Sequence, residues 1–338
     1  MEFGSGPWFW VRNYKPHVIM SLYQLILAIF ITLVQTILAK GINGVVLVVY
    51  EHAIATFLLS ALAFFLEREK RPPLTVRILC YSFLLGLLQV TICQMLLTLS
   101  LGFVGATYHS IALNTLTVVI FVLAVIFKRE MICFSSIHGQ TKIWGVAIST
   151  AGSMVMVLWR GPAILSSSSS SPATWIGGLM LTMAVLAAAS WSLLVDHVTQ
   201  KYPADLSLSA MMSFWGTIQA SILAACFVKR EFWVLKWEHG LMLLVILYGG
   251  IGVTGILAYI QTWCIHKKGP VFTTAFSPLL IVFAFLLETS ILGKNPHLGS
   301  IIGAVLVVSG LYMLLWGKAN DIEKEKTVFE GSINELLI

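Results

Sequence analysis

Residues 239–263 read HGLMLLVILYGGIGVTGILAYIQTW and contain no Asp, Glu, Lys or Arg. A helix needs about 20 consecutive, mostly apolar residues to cross the hydrocarbon core of a bilayer, which is about 30 Å thick. This stretch is long enough and apolar enough to do so. It therefore predicts a membrane-spanning α-helix.

Nine further apolar runs lie on either side of this stretch. The chain of 338 residues is 58% hydrophobic and only 11% charged, with a mean hydropathy of +0.90, whereas a soluble domain carries about 25% charged residues. This composition excludes a soluble enzyme, a secreted disulfide scaffold and a sizeable folded domain outside the lipid. The sequence predicts an all-α membrane protein with ten transmembrane helices, at 17–38, 44–66, 77–98, 104–127, 143–159, 174–195, 207–227, 239–263, 270–292 and 297–316.

The basic residues are unevenly distributed between the loops. Ten spans place both termini on one side, and if that side is cytoplasmic the inner segments hold 15 of the 21 Lys and Arg residues. Cytoplasmic loops of membrane proteins carry an excess of Lys and Arg. The pattern predicts that both termini are cytoplasmic, although the loop between spans seven and eight carries three basic residues on the outer side.

The two halves of the chain repeat each other. Gly105 to Asn114 align without gaps on Gly269 to Pro278, and a pair of glycines seven residues apart recurs in spans five and ten (Gly145 and Gly152; Gly303 and Gly310). Five spans per half is an odd number, so the second half enters the membrane from the opposite side, as in many secondary transporters. The alternative is a chance alignment, because glycine is frequent in membrane helices.

This repeat predicts the domain organisation. A cytoplasmic tail at 1–16 precedes a first five-helix repeat at 17–160, and a Ser-rich linker at 161–173 leads to a second repeat at 174–317. The serine run 166–171 within the linker is typical of a flexible connection. A cytoplasmic tail at 318–338 completes the chain.

Several motifs resemble one plant family, the Walls-Are-Thin-related, nodulin-like branch of the drug/metabolite transporter superfamily, whose members carry two EamA domains. The similarity runs from Lys15 to Lys318. The motifs are Phe65-Leu66-Glu67-Arg68, Tyr202-Pro203-Ala204-Asp205-Leu206-Ser207, Leu247-Tyr248-Gly249-Gly250-Ile251, Gln261-Thr262-Trp263-Cys264-Ile265, Lys268-Gly269-Pro270-Val271-Phe272, Leu298-Gly299-Ser300-Ile301-Ile302-Gly303-Ala304 and Trp316-Gly317-Lys318.

The resemblance implies a ten-helix carrier in which each half is one EamA domain. Family activities include amino acid export or facilitated movement, and auxin transport at the vacuole. Two positions depart from the family pattern: Glu51 follows Tyr50 where a basic residue is usual, and Lys294 replaces the acidic residue that usually ends span nine. Both departures reverse a charge at a membrane edge.

Polar side chains inside the spans are candidates for a substrate cavity, because an unpaired polar group facing lipid costs several kcal/mol. The alternative is that they join helices by hydrogen bonds. For Trp191 the alternative is core packing, and Pro278 either frees a carbonyl for substrate or acts as a hinge. The predicted cavity residues are Gln24, Gln94, Asn114, Trp191, Tyr259, Gln261 and Pro278.

Three ionisable residues within the spans are candidates for proton coupling or gating: Glu51, His52 and Glu288. A charge inside a membrane suggests function by default. The alternative is that each is a residue at the membrane rim whose charged end reaches water.

The sequence shows no cofactor signature. A GxxxxGK[ST] nucleotide loop is absent, and the eight His and five Cys residues form no ligand-spaced metal cluster. An enzyme within the membrane would need a nucleophile beside a base, or several acidic and His residues at one depth. Glu51-His52 is the only adjacent pair of this kind. The sequence therefore predicts no enzymatic activity.

The sequence predicts a secondary transporter of small organic metabolites, with amino acids preferred as substrates. A vacuolar auxin carrier and a membrane scaffold or receptor are the alternatives. The expected partners are a small-molecule substrate and the lipid bilayer, not nucleic acid, and a homodimer is left open. The plasma membrane is preferred over the vacuolar membrane.

Overall fold

The computed structural model describes residues 7–38, 41–69, 71–100, 103, 106–130, 136–158, 172–229, 240–291 and 298–336. These residues are almost entirely helical, and the described part of each predicted span falls on one helix, except that of the ninth span, which falls on two. The helices are α1 (Pro7–Leu38), α2 (Gly44–Leu66), α3 (Val76–Ser100), α4 (Ala106–Ile126), α5 (Ile137–Leu158), α6 (Pro172–Lys201), α7 (Asp205–Phe227), α8 (Gly240–Lys268), α9a (Pro270–Ala275), α9b (Leu279–Ile291) and α10 (Leu298–Leu336).

Within the described residues, eight helical stretches are long and apolar enough to cross a membrane: parts of α1, α6 and α10, all of α2, α3, α7 and α8, and Pro270–Leu287 in α9a and α9b. The apolar part of α4 is shorter, at Ala112–Ile126, and α5 is not among the eight. The all-α membrane class is therefore confirmed, and the count of ten spans stays a prediction.

The predicted tails are partly helical. α1 begins at Pro7, inside the predicted tail at 1–16, and α10 runs through the predicted tail at 318–338 as far as Leu336. The last part of α10 is rich in Glu and Lys, which are good helix formers. The Ser-rich linker lies outside the described residues except for 172–173, where α6 begins.

Turn residues lie between α1 and α2 and between α8 and α9a. Gly41 has a φ of 85° before α2, and the side chain of Asn43 accepts a hydrogen bond from Val45 N at 2.9 Å, which caps the helix. Gly269 has a φ of 84° between α8 and α9a. Pro270 then occupies the first position of α9a, where its missing N–H is not needed.

Helices α5 and α10 cross at their glycines. A Cβ atom on Gly145 would lie 2.8 Å from the carbonyl oxygen of Gly310, and one on Gly152 would lie 2.8 Å from that of Gly303. The residue numbers rise along one helix and fall along the other, so the two helices are antiparallel. Small residues let membrane helices approach closely, and here they bring two backbones into contact.

Many helix contacts join residues 17–160 to residues 174–317. α2 packs on α7 and α8, α3 on α6 and α7, α4 on α6, α1 on α8 and α9b, and α5 on α10. Polar side chains on these faces therefore meet where the two parts of the chain pack together.

α3 and α8 each contain a π-helical segment, Leu87–Gln94 and Tyr248–Leu257. Such segments are rare and are frequent at functional sites. The residue before the first segment, Gly86, packs against the backbone of α7, and Gly249 in the second packs against Glu51 of α2. The two segments thus contact helices of the opposite part of the chain.

Large apolar side chains cover the outside of the helices. Phe57 is 81% exposed and Phe227 83% exposed. Exposed apolar surface on this scale marks a surface that a membrane or a partner covers, in agreement with the membrane-spanning helices.

Candidate functional site

Glu51 lies inside the helix bundle, about 10 Å along α2 from its first residue at 1.5 Å per residue. Its side chain is only 2% exposed. The carboxylate faces α8 at Gly249, where a Cβ atom would lie 2.7 Å from Oε1 of Glu51 and 2.7 Å from the Phe30 ring. Oε1 has no hydrogen-bond partner among the described residues. The sequence-predicted Glu51 is thus a buried carboxylate that approaches a bare stretch of helix backbone.

His52, the next residue, belongs to a different contact. Its Nε2 donates to Oε1 of Gln94 in the π-helical segment of α3 at 2.8 Å. The imidazole is 4% exposed, and its Nδ1 has no partner in the described part of the chain. The structure therefore brings two predicted residues, His52 and Gln94, together.

α1 and α8 are joined by tyrosine hydroxyls. Tyr23 donates to Oε1 of Gln261 at 3.1 Å, and Tyr248 donates to the carbonyl of Ile26 at 3.2 Å. Gln24, also predicted, is buried on α1 with 3% exposure. Tyr23 was not among the predicted cavity residues, because nothing in the sequence of α1 indicates that its hydroxyl meets α8.

The helix break at Pro278 has a local solution. Proline has no N–H to donate to the carbonyl four residues earlier, which is that of Thr274. This carbonyl instead accepts from Ser277 N at 3.0 Å and from the Thr117 hydroxyl of α4 at 3.2 Å. The freed carbonyl therefore binds α4 in this conformation.

Asn114 and Trp191 are buried with unused donors. They are 2% and 4% exposed, and neither Asn114 Nδ2 nor Trp191 Nε1 has a partner among the described residues. Trp191 packs in an apolar cluster with Leu85 and Met212. Glu288 lies in α9b, but its side chain is outside the described part of the structure.

Tyr259 lines a groove between α2 and α8 with a volume of about 360 Å³. Glu67 also lines this groove. The rest of its wall is apolar: Leu59, Leu62, Leu66, Leu206 and Ile256.

Glu67 caps a helix of the other half of the chain. Its Oε1 accepts from Leu206 N at 3.0 Å, and its Oε2 accepts from the Ser207 N–H at 2.7 Å and the Ser207 hydroxyl at 2.8 Å. The first N–H groups of a helix lack internal partners and carry partial positive charge. The Glu67 carboxylate, just after α2, thus accepts hydrogen bonds from the free N–H groups at the start of α7.

Three further charged contacts lie at the same end of the bundle, and two of them join the halves. Arg129, after α4, contacts Asp196 of α6 at 3.2 Å. Glu130 contacts Lys142 of α5 at 2.7 Å and Lys318 of α10 at 2.6 Å. Together with Glu67, these residues form what we call the end network, which consists of Glu67, Arg129, Glu130, Lys142, Asp196, Ser207 and Lys318.

The electrostatics of Glu130 favour its charged form. Burial alone would raise the pKa of Glu130, but the ammonium groups of Lys318 and Lys142 hold that pKa below its ordinary value. A buried charge requires paired, hydrogen-bonded partners. Glu130 has two, so the contact holds α5 and α10 to the loop after α4.

The end network was not predicted from the sequence. Its charged residues all lie outside the predicted spans, and Glu130 and Lys318 are 188 positions apart in the sequence. Only the motifs that contain Glu67, Ser207 and Lys318, noted for their family resemblance, gave a signal. Among the described residues, no group of three or more His, Cys, Asp or Glu side chains is arranged to hold a metal ion.

Comparison with known proteins adds three relatives and a fold match. The sequence profile of the EamA-like transporter family matches residues 175–316. The WAT1-related protein At3g30340 of Arabidopsis thaliana is 30% identical and covers 92% of this chain and 89% of its own length. In the same plant, WAT1-related protein At3g18200 is 35% identical over 86% of this chain and 78% of its own, and At1g43650 is 32% identical over 97% and 98%.

The chain also superposes on a protein of known crystal structure with a TM-score of 0.67, covering 89% of this chain and 96% of that one. The two are 15% identical, so this likeness shows a shared fold only. The predicted family resemblance is confirmed by the plant relatives. The chain belongs to the WAT1-related branch of the EamA-like transporters, and it is a multi-pass membrane transporter of small molecules rather than an enzyme.

Proposed function

We propose that the protein moves amino acids across the plasma membrane by alternating access between two inverted five-helix repeats, 17–160 and 174–317. In this proposal ten helices cross the bilayer, and both termini and the end network lie on the cytoplasmic side.

The helix contacts support the repeat. If each helix of the first half is exchanged for its counterpart in the second, with α9a and α9b together as the counterpart of α4, then α4–α6 becomes α9b–α1, α2–α8 becomes α7–α3, and α3–α6 becomes α8–α1. All of these pairs are in contact, and α2–α7 and α5–α10 map onto themselves. The antiparallel glycine crossing of α5 and α10 agrees with a twofold axis in the membrane plane.

The end network is the observation that carries the mechanism. Glu67, Arg129 and Glu130 of the first half bind Ser207, Asp196 and Lys318 of the second half, all at one end of the bundle. A carrier that alternates between two openings must close one end while the other is open. Charged contacts between the halves suit such a closure, because water can solvate the charged groups when the contacts break.

The test is flux into proteoliposomes that contain the purified protein. Radiolabelled neutral, basic and aromatic amino acids form the first panel, and indole-3-acetic acid is included because an indole acid is the alternative substrate. Uptake of at least one amino acid above protein-free vesicles, inhibited by excess unlabelled substrate, is expected. Flux of the indole acid without flux of any amino acid would overturn the substrate assignment.

A further inference from the structure

We infer that Glu51 is a proton-binding site that controls the contact between α2 and α8. Its carboxyl group keeps a proton while the two helices are packed together and releases that proton to water when they separate. The inference goes beyond the proposed transport of amino acids, because it concerns the conformation of the protein and involves no substrate.

The side chain of Glu51 is enclosed where α2 meets α8. It is 2% exposed, and a Cβ atom on Gly249 would lie 2.7 Å from its Oε1 and 2.7 Å from the Phe30 ring. A Cβ atom on the next residue, Gly250, would lie 3.1 Å from the backbone oxygen of Glu51. Two glycines in the π-helical segment of α8 therefore let α2 come so close that neither water nor a counterion fits between the helices at this point.

The neighbouring helices carry no charge that could neutralise Glu51. Their titratable side chains near the middle of the bundle are tyrosines and cysteines, which are predominantly neutral at physiological pH. The imidazole of His52, the next residue on α2, instead contacts Gln94 of α3 at 2.8 Å. Among the described residues, Oε1 of Glu51 has no hydrogen-bond partner. Asp, Glu, Lys, Arg and His are absent from α1, α3, α7 and α8 over residues 18–38, 78–100, 206–227 and 240–265.

The packed arrangement therefore requires the neutral form of Glu51. A carboxylate removed from water without a partner is strongly unfavourable, and such a group takes up a proton instead. Separation of α2 from α8 admits water, which solvates the carboxylate. The O–H bond then breaks, the proton passes to water, and the bonding electrons stay on the carboxylate oxygen. Proton binding is thus linked to the helix contact, because protonation favours the packed helices and ionisation favours the separated ones.

Glu51 lies far from the end network. At 1.5 Å per residue, it is about 24 Å along α2 from Glu67. Around it, apolar side chains of α1, α2 and α8 pack in one cluster that includes Phe30, Leu47 and Ile246. A carrier that opens at this end has to break these contacts between its two halves. Such an opening would bring water to Glu51.

The experiment measures how readily water reaches this contact. Ile54→Cys places a thiol beside Gly250, where the Ile54 side chain packs, and its reaction with a small water-soluble maleimide in proteoliposomes is followed by mass spectrometry of the labelled peptide. The reaction rate is compared at each pH between the protein with Glu51 and the protein with Glu51→Gln, whose neutral amide resembles the protonated acid. The effects of pH on the thiol and on His52 are common to both proteins and cancel from the ratio of the two rates.

We expect this ratio to be close to one in acid and to rise with pH by up to about ten-fold per pH unit, because one proton is linked to the opening. Glu69→Gln removes an exposed carboxylate beyond the end of α2. Used in place of Glu51→Gln, it should give a ratio close to one at every pH. Thermal unfolding verifies that each variant is folded.

Infrared spectroscopy gives a second readout. At neutral pH, the difference spectrum between the native protein and Glu51→Gln should contain the C=O stretching band of a protonated carboxyl group. The corresponding spectrum for Glu69→Gln should not contain that band, because an exposed carboxyl group is ionised at this pH.

The outcomes separate this inference from the proposed transport. A ratio that does not change with pH, or a Glu51→Gln difference spectrum without the band, would overturn the proton-binding site even if amino acid flux is observed. A ratio that rises with pH, together with the band, would support the site even if no amino acid crosses the vesicle membrane, and the transport proposal alone would then fail.

Discussion

Replacing Glu67 by Ala should release the start of α7 from the end of α2. Glu67 accepts three hydrogen bonds, two from backbone N–H groups of Leu206 and Ser207 and one from the Ser207 hydroxyl, at 2.7 to 3.0 Å. The cap residue of α7 itself, Ala204, makes no side-chain cap bond. The variant therefore leaves these donors without a protein acceptor.

The size of the effect follows from these contacts. A hydrogen bond to a charged group contributes about 1.5–3 kcal/mol when it is buried. Glu67 is only partly buried and water can replace some of each bond, so we take about 2–4 kcal/mol for the whole cap. At about 1.4 kcal/mol per factor of ten, the start of α7 should open about 30 to 700 times more often.

Hydrogen–deuterium exchange of the purified protein measures this opening. The amides of Leu206 and Ser207 should exchange faster in Glu67→Ala by a factor in that range, because exchange reports the population of the opened segment. Glu69→Ala, which removes a nearby exposed carboxylate, serves as the control and should leave both amides unchanged. If both amides exchange in Glu67→Ala at the same rates as in the native protein, Glu67 does not cap α7.

Three further predictions concern stability, measured by thermal unfolding in detergent. The pKa of Glu130 is lowered in the folded state. The stability that this carboxylate contributes is therefore present above the ordinary Glu pKa of about 4.3 and is lost as the pH falls through the lowered value. Glu130→Gln should reduce this loss of stability in acid, and an unchanged pH dependence would contradict the pairing. Gly310→Ala would place a Cβ atom 2.7 Å from a backbone oxygen of α5 and should lower the free energy of unfolding by about 1–3 kcal/mol. The control Gly178→Ala, where the Cβ position is open, should not lower it. Equal melting temperatures of the two variants would contradict the close crossing of α5 and α10. Thr117→Val removes the hydroxyl that binds the Thr274 carbonyl and should cost about 1 kcal/mol, so an unchanged melting temperature would show that the bond contributes nothing.

The helices could be predicted because lipid makes strong demands on sequence. An apolar run such as 239–263 has to satisfy its own backbone hydrogen bonds in the membrane, and the structure has a helix there, Gly240–Lys268. The helix α5 extends beyond the predicted span, which begins at 143, because the helix begins at Ile137. Lys142 read as the end of a loop, yet its charge is buried against Glu130.

The site was only partly predictable, because most of it depends on pairs distant in sequence. The amide and acidic residues drew attention through their cost in lipid, and His52 with Gln94 indeed form one contact. Nothing local indicates that Tyr23 meets Gln261 or that Glu67 reaches Ser207. Such contacts require the packing of helices from both halves, which periodicity within one helix does not specify.

The length of α10 has a practical consequence. The helix continues from Lys318, the last residue of its apolar stretch, to Leu336, a projection of about 27 Å at 1.5 Å per residue. Transporters without large extramembrane domains are difficult to align in electron cryomicroscopy. A globular fusion partner joined in helical register to this arm would give the particle a rigid fiducial held away from the bilayer surface.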